Sequence, residues 1–209
     1  MNSMRSLAQY VVREASPYGD VTPMKLQKLL YYVKAWGLVA GHKTMSLSFE
    51  KWDNGPVNPS VYHWYRSYGS ESIASRHSAP PSDWSEQARA VADMVITSYA
   101  PLSALTLSVL IHHDAPWQQT SKNEIIPESA IRSYYQTQRF AKNFPFDPEN
   151  GPFYPVASNL SYAYVLDMTD EEAQKASVYP SYNAYRHHLY EAGKYIDRTV
   201  DRFKALASE

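Results

Sequence analysis

Along the first two thirds of the chain, apolar positions recur at three- and four-residue steps. The densest run is 22–41, TPMKLQKLLYYVKAWGLVAG, where Leu26, Leu29, Leu30, Val33, Trp36 and Gly37 make one wide helical stripe. Thr22 suits the N-cap and Pro23 the first turn, and Gly41 is placed to end the helix because glycine takes the left-handed cap conformation without a steric penalty. Lys25, Gln27, Lys28 and Lys34 are left for other faces. Tyr31 and Tyr32 are neighbours about 100° apart on the helix, so at most one lies in the middle of the stripe. The pattern predicts the central core helix of an α-rich domain.

Other segments follow the same rhythm. Residues 3–15 predict a first helix with Leu7, Tyr10, Val11 and Ala15 inward, stopped by Pro17 and Gly19. Around 47–57 the period changes: Leu47, Phe49 and Lys51 alternate with polar residues, and Asn54-Gly55-Pro56 signals a turn, so a short extended element is expected there. Asn58-Pro59 restarts a helix with Val61, Trp64, Tyr65 and Tyr68 on one face and Gly69 at its end. After a Ser/Pro/Ala loop at 70–82, Ser82 or Ser85 caps a helix whose inward set is Trp84, Ala88, Val91, Ala92, Val95 and Tyr99. A helix over about 102–113 aligns Leu102, Leu105, Val109 and His113, and Pro127-Glu128 opens another carrying Ile131, Tyr134 and Tyr135. Composition shifts near 141, where KNFPFDPENGPFYP reads as a linker or surface-hugging loop. Thr169 with Glu172 makes a capping box, and 181–207 reads as a long amphipathic helix. The fold expected is mainly α, an irregular helical bundle around a central buried helix, with a short extended or β element near 47–57. Two parts are expected: a domain over 1–140 and an extension over 141–209.

Composition narrows the function. With 209 residues, 44% apolar and 20% charged, the chain is long enough and apolar enough for a proper core. A net charge of -1 argues against a polyanion binder, so nucleic acid is not an expected partner, although Arg186, Lys194, Arg198 and Arg202 put positive charge on the last helix. The lack of cysteine removes disulfides and thiolate metal sites and fits a cytoplasmic setting. No apolar run reaches the roughly 18 residues of a membrane span, so no membrane is expected. The 18 tyrosines and five tryptophans stand out, because aromatic rings with polar tips suit surfaces buried on contact with a partner.

Chemistry is poorly supported. His112 and His113 are adjacent, which rarely lets two imidazoles share an ion, and further ligands at metal-site spacing are missing. Their simpler reading is a favourable charge at a helix C-terminus, and the same holds for His187-His188. No phosphate-cradling or nucleophile-elbow motif is present, and Glu171-Glu172 open a helix where negative charge is stabilising. No catalytic residue, metal or cofactor is therefore expected, and the chain is read as no enzyme. Trp36, Trp64 and Trp84 are expected in the core. Trp52 and Trp117 are expected in loops, as lids or as parts of a binding surface. Lys25, Lys28 and Lys34 are read as a solvated face or as contacts for an acidic partner.

The runs LQKLLYYVKAWGLVAG, FEKWDNGPVNPSVYHWYRSYG and LTLSVLIHHDAPWQQT, in this order, resemble the Panacea antitoxin domain, the SocA-like family found in phage and mobile elements. The resemblance spans roughly 5–137. It rests on K-L-Q-K-L-L-Y-Y, Trp36, the W-x-x-G-P-V element from Trp52 to Val57, Tyr62, Tyr68-Gly69, and the H-x-x-x-P-W element from His112 to Trp117 with His113 beside it. Val33 and Lys34 depart from the family's usual small residue and Gln or His. The resemblance implies an α-helical, non-catalytic antitoxin that neutralises a cognate protein toxin by direct binding. Its members pair with unrelated toxins, and one branch delivers the toxin to a AAA+ protease. A proteolytic adaptor and a DNA-binding autoregulator are the alternatives, and a homo-oligomer is left open. The expected partner-binding residues are Lys25, Lys28, Tyr31, Tyr32, Trp52, Asn54, Pro56, Tyr62, Tyr65, Trp117, Tyr182, Tyr185 and Tyr195. The aromatic arm and last helix, 141–209, are the expected source of toxin specificity.

Overall fold

A computed structural model describes residues 2–42, 47–75, 84–156 and 178–193. They form two compact units, 1–144 and 145–209. The first contains α1 (Asn2–Ala15), α2 (Pro23–Val39), β1 (Glu50–Trp52), β2 (Gly55–Val57), α3 (Pro59–Tyr65), α4 (Glu86–Tyr99), α5 (Ala104–His112), α6 (Ala115–Gln119) and α7 (Glu128–Tyr135). The described part is mainly helical with one small antiparallel hairpin, as the periodicity predicts.

Local signals explain most boundaries. Thr22 accepts from the Lys25 amide at 3.3 Å, Asn58 from Val61 at 3.0 Å, Ser85 from Ala88 at 3.1 Å and Ser103 from Thr106 at 3.0 Å. Each satisfies one of the amides that a helix start leaves without an internal partner. The α2 chain ends through Gly41 at φ +79°, and Gly69 at φ +57° closes the turn after α3.

The helix α2 packs against α1, α3, α4, α5, α7 and β2, so neighbours surround it. Fourteen of its seventeen residues are buried. This corrects the expectation of a solvated lysine face: Lys25, Lys28 and Lys34 are all enclosed, and Tyr31 and Tyr32 are both internal. An apolar stripe marks a helix buried on one side, and a helix wrapped on all sides has none left for water. An aromatic cluster occupies the centre. Tyr32 stacks on Tyr99 at 3.9 Å, Trp36 meets Tyr135 edge-on at 5.0 Å and Phe140 at 4.7 Å, and Tyr31 meets Phe49 edge-on at 5.4 Å. The Trp36 indole donates to the Tyr99 hydroxyl at 2.8 Å, which removes the cost of burying that N–H.

Three other expectations need correction. Trp64 and Trp84 are half-buried; the guanidinium of Arg5 lies 5.4 Å from the Trp64 ring centre. On α5 the aligned pair Leu105 and Val109 faces outward, while Leu107 and Ile111 are buried. Trp52 sits on β1 and Trp117 on α6, neither of them in a loop.

In the second unit, Phe153 and Tyr179 exchange backbone hydrogen bonds at 2.8 and 2.9 Å, and a helix, α8, covers 182–193. Phe146, Phe153, Tyr179, Tyr182 and Tyr185 form its ring cluster. The capping box at Thr169 and the helix beyond 193 lie outside the described residues.

Candidate functional site: a groove at the hairpin

The three sequence elements that carry the resemblance converge on the β1–β2 hairpin. The hairpin pairs Glu50 with Val57, Lys51 with Pro56 and Trp52 with Gly55, and Asp53-Asn54 form its turn. Gly55 stands at φ +103°, a conformation L residues rarely adopt, and a Cβ there would lie 2.7 Å from the Lys28 amine. That absent side chain leaves the space that Lys28 fills.

From α2, Gln27 and Lys28 bind the returning strand. The Gln27 amide nitrogen donates to Asn58 O at 3.2 Å, and Asn58 N donates to Gln27 Oε1 at 2.8 Å. Lys28 Nζ donates to Pro56 O at 3.3 Å. Burial pushes the pKa of the Lys28 ammonium down to about 7, because the charged form loses its hydration.

From α5, Ser108 Oγ donates to Asn54 O at 3.0 Å. His112 places Nδ1 2.6 Å from Ser108 O and Nε2 3.0 Å from Asp53 O. A carbonyl only accepts, so each contact is a hydrogen bond when that nitrogen carries its proton. The His112 ring also lies 4.1 Å from Trp117, and the Lys51 amine sits 4.5 Å from the Trp117 ring centre. Lys51 further donates to Gln118 O at 3.0 Å and Thr120 O at 2.8 Å. On the outer side of β1, residues 123–126 run alongside: Asn123 N donates to Lys51 O at 2.8 Å, and Ile126 N to Phe49 O at 2.8 Å.

Behind this frame is a buried carboxylate. Asp114 accepts from the Tyr135 hydroxyl at 2.5 Å. Burial pushes the Asp114 carboxyl up to about 6, and the Tyr135 hydrogen bond only partly offsets this. Among the described residues, no three His, Asp or Glu side chains gather where they would hold a metal ion.

In front of the frame a groove of about 400 Å³ opens between the start of α2, the hairpin, α3 and residues 122–123. Lys28, Trp52, Asn54 and Tyr62 line it, four of the residues expected to bind a partner. Trp52 meets Tyr62 edge-on at 5.1 Å, and its indole is held by Glu50 at 2.9 Å. Tyr62 is 40% exposed and Met24 36%. Met24, Gln27, Asp53, Arg66, Lys122 and Asn123 also line the groove, and sequence reasoning missed them. Gln27 lies inside the K-L-Q-K-L-L-Y-Y element and Met24 directly precedes it. Lys122 and Asn123 arrive through strand-like pairing with β1, which no local signal announces.

The other expected contact residues lie elsewhere. Lys25, Tyr31 and Tyr32 are internal to α2's surroundings, and Lys28 reaches the groove only from behind, so the expectation that they offer a free partner surface is corrected. A contact residue must present accessible atoms, and theirs are consumed by the core. Pro56 is buried in the hairpin. Tyr65 and Trp117 are half-buried and do not line the groove. Tyr182 and Tyr185 are buried in the ring cluster of the second unit, which corrects their assignment as free contacts. Tyr195 lies outside the described residues.

Residues 26–118 match the family model described as antitoxin SocA-like, Panacea domain. Comparison with curated proteins and with solved structures gives no match. The matched segment runs from Leu26 within α2 through the hairpin, α3, α4 and α5 to Gln118 in α6, and Pro23, Met24, Lys122 and Asn123 of the groove lie outside it.

Proposed function

We propose, from the match of residues 26–118 to the SocA-like Panacea domain, that the chain is an antitoxin that neutralises a cognate protein toxin by direct binding. The observation that carries this reading is the groove. It is held open by hydrogen bonds from α2 and α5, and it exposes the rings of Trp52 and Tyr62 beside an arginine. Rigid aromatic and arginine side chains are the residue types that anchor protein interfaces, and a preformed frame lowers the entropy lost on binding. The extension is proposed to add toxin specificity, on the strength of its surplus of aromatic residues.

The test is co-expression with the product of the adjacent reading frame. Growth rescue, with the toxin intact in a co-purified complex, supports direct neutralisation. Rescue with loss of the toxin, reversed in cells lacking a AAA+ protease, points to the adaptor reading instead. Absence of rescue refutes the antitoxin reading. For the specificity proposal, the chain is cut after Phe144, because the Phe144 ring stacks on Trp36 at 5.9 Å and belongs to the first unit. Undiminished rescue by that truncation rejects the role given to the extension.

A further inference from the structure

We propose, building on the direct-binding reading above, that the hairpin groove seats an acidic segment of the partner protein. A carboxylate of that segment pairs with Arg66, and an adjacent apolar side chain lies against Trp52 and Tyr62. Arg66, Lys28 and Lys122 line the groove against a single acid, Asp53. Lys122 is already paired with Asp53 at 2.8 Å. Arg66 is exposed, and among the described residues its guanidinium has neither an ion pair nor a hydrogen bond. Among the described residues the Lys28 amine behind the groove has one hydrogen bond, to Pro56 O, and no counter-ion. The site therefore carries, in Arg66, an exposed positive charge that the described residues leave unanswered.

Geometry selects the kind of anion. A guanidinium presents paired N–H donors in a planar fork, which matches a carboxylate. The aromatic edge beside it calls for an apolar neighbour in the same ligand, and a groove of about 400 Å³ holds a few side chains. A nucleic-acid backbone is the weaker fit, because it needs a stripe of cations following successive phosphates, whereas among the described residues lining this groove Lys122 is held by Asp53 and Arg66 is the exposed cation left over. Arg66 lies in the turn after α3 whose carbonyl accepts from Gly69 at 3.1 Å, so its backbone is fixed while its side chain is not.

The test uses the full chain co-expressed with the toxin encoded beside it, and a photo-reactive benzoylphenylalanine in place of Tyr62. The expected cross-link maps to a toxin peptide with Asp or Glu within two residues of the attachment point. Arg66→Glu is expected to weaken complex formation by about tenfold or more at low salt, and Arg66→Lys by less. Changing the cross-linked toxin acid to lysine is expected to restore binding to Arg66→Glu. Both positions are exposed, so unchanged melting temperatures of the free variants establish that folding is intact. Normal binding by Arg66→Glu combined with Tyr62→Ala would overturn the groove assignment while leaving direct neutralisation standing. A cross-link to a basic peptide or to a second copy of this chain also overturns it. If the unaltered chain fails to bind the toxin in the same assay, the antitoxin reading fails and this inference falls with it.

Discussion

Replacing Lys28 with methionine should stabilise the protein at neutral pH, and the gain should shrink as pH rises. Lys28 is 1% exposed, its amine has a single hydrogen bond among the described residues, at 3.3 Å, and burial brings its ionisation down to about 7 from the 10.5 of a free lysine. Between those two values the unfolded chain binds more protons than the folded one, so stability of the natural protein increases with pH across that window. Linkage over this window puts the cost of the buried amine at about 4 kcal/mol at pH 7 and about 2 kcal/mol at pH 9. Methionine has similar volume and no charge, but it forfeits the bond to Pro56 O, worth about 1 kcal/mol net. The variant should therefore be more stable by about 3 kcal/mol at pH 7 and by about 1 kcal/mol at pH 9. All five tryptophans, at 36, 52, 64, 84 and 117, lie in the first unit, so urea titrations followed by tryptophan fluorescence report that unit alone. A variant less stable than the natural chain at pH 7, or a difference that stays the same from pH 7 to 9, would refute the reasoning.

Asp114 should give the opposite slope. Its folded-state ionisation near 6 lies above the unfolded value of 3.8, so the stability it contributes is complete below about pH 4 and is lost as pH rises through 6. Asp114→Asn should gain about 2 kcal/mol relative to the natural chain between pH 4 and pH 7, measured by the same titrations. Gly55→Ala forces a side chain into φ +103° and against Lys28, and should cost about 2 kcal/mol by thermal melting. Combining it with Lys28→Met should recover only part of that loss, because the backbone strain remains. His112→Ala removes the contacts to Asp53 O and Ser108 O and should cost about 1–2 kcal/mol, with faster hydrogen exchange of hairpin amides.

Much of the fold was readable because its helices announce their ends. Thr22, Asn58 and Ser85 act as the caps their residue types suggest, and Gly41 and Gly69 take the positive φ that ends a helical turn. What failed did so for a physical reason in each case. The lysines of α2 look solvent-facing because periodicity shows one buried side and cannot count how many elements pack around a helix. The α5 segment ALTLSVLIH is apolar nearly all round, so no polar face fixes its rotation, and Ser108 turned inward to hold Asn54 O. In the groove, Trp52, Asn54 and Tyr62 were visible as aromatic and turn residues beside a motif. Lys122 is not, because it reaches the groove through the pairing of 123–126 with β1, a contact across some seventy residues, and Arg66 is not, because it sits in the turn after α3 with no motif to mark it.

The residues around the groove divide by what they touch. Gln27, Lys28, Gly55, Asn58, Ser108 and His112 hold the hairpin to α2 and α5, and their side chains or backbone are mostly committed to that task. Met24, Tyr62 and Arg66 face the opening and support little of the frame. Substitutions in the first group act on binding through the shape of the groove, so their effect on a partner should follow their effect on stability. Gly55→Ala should thus lose binding near its melting transition and regain it on cooling. Arg66→Glu should lose binding at every temperature where the chain is folded, because its charge meets the partner and not the core. A single frame with separable surface residues is also the arrangement by which one scaffold serves different partners without refolding: specificity resides in a few exposed side chains, and stability in the bonds behind them.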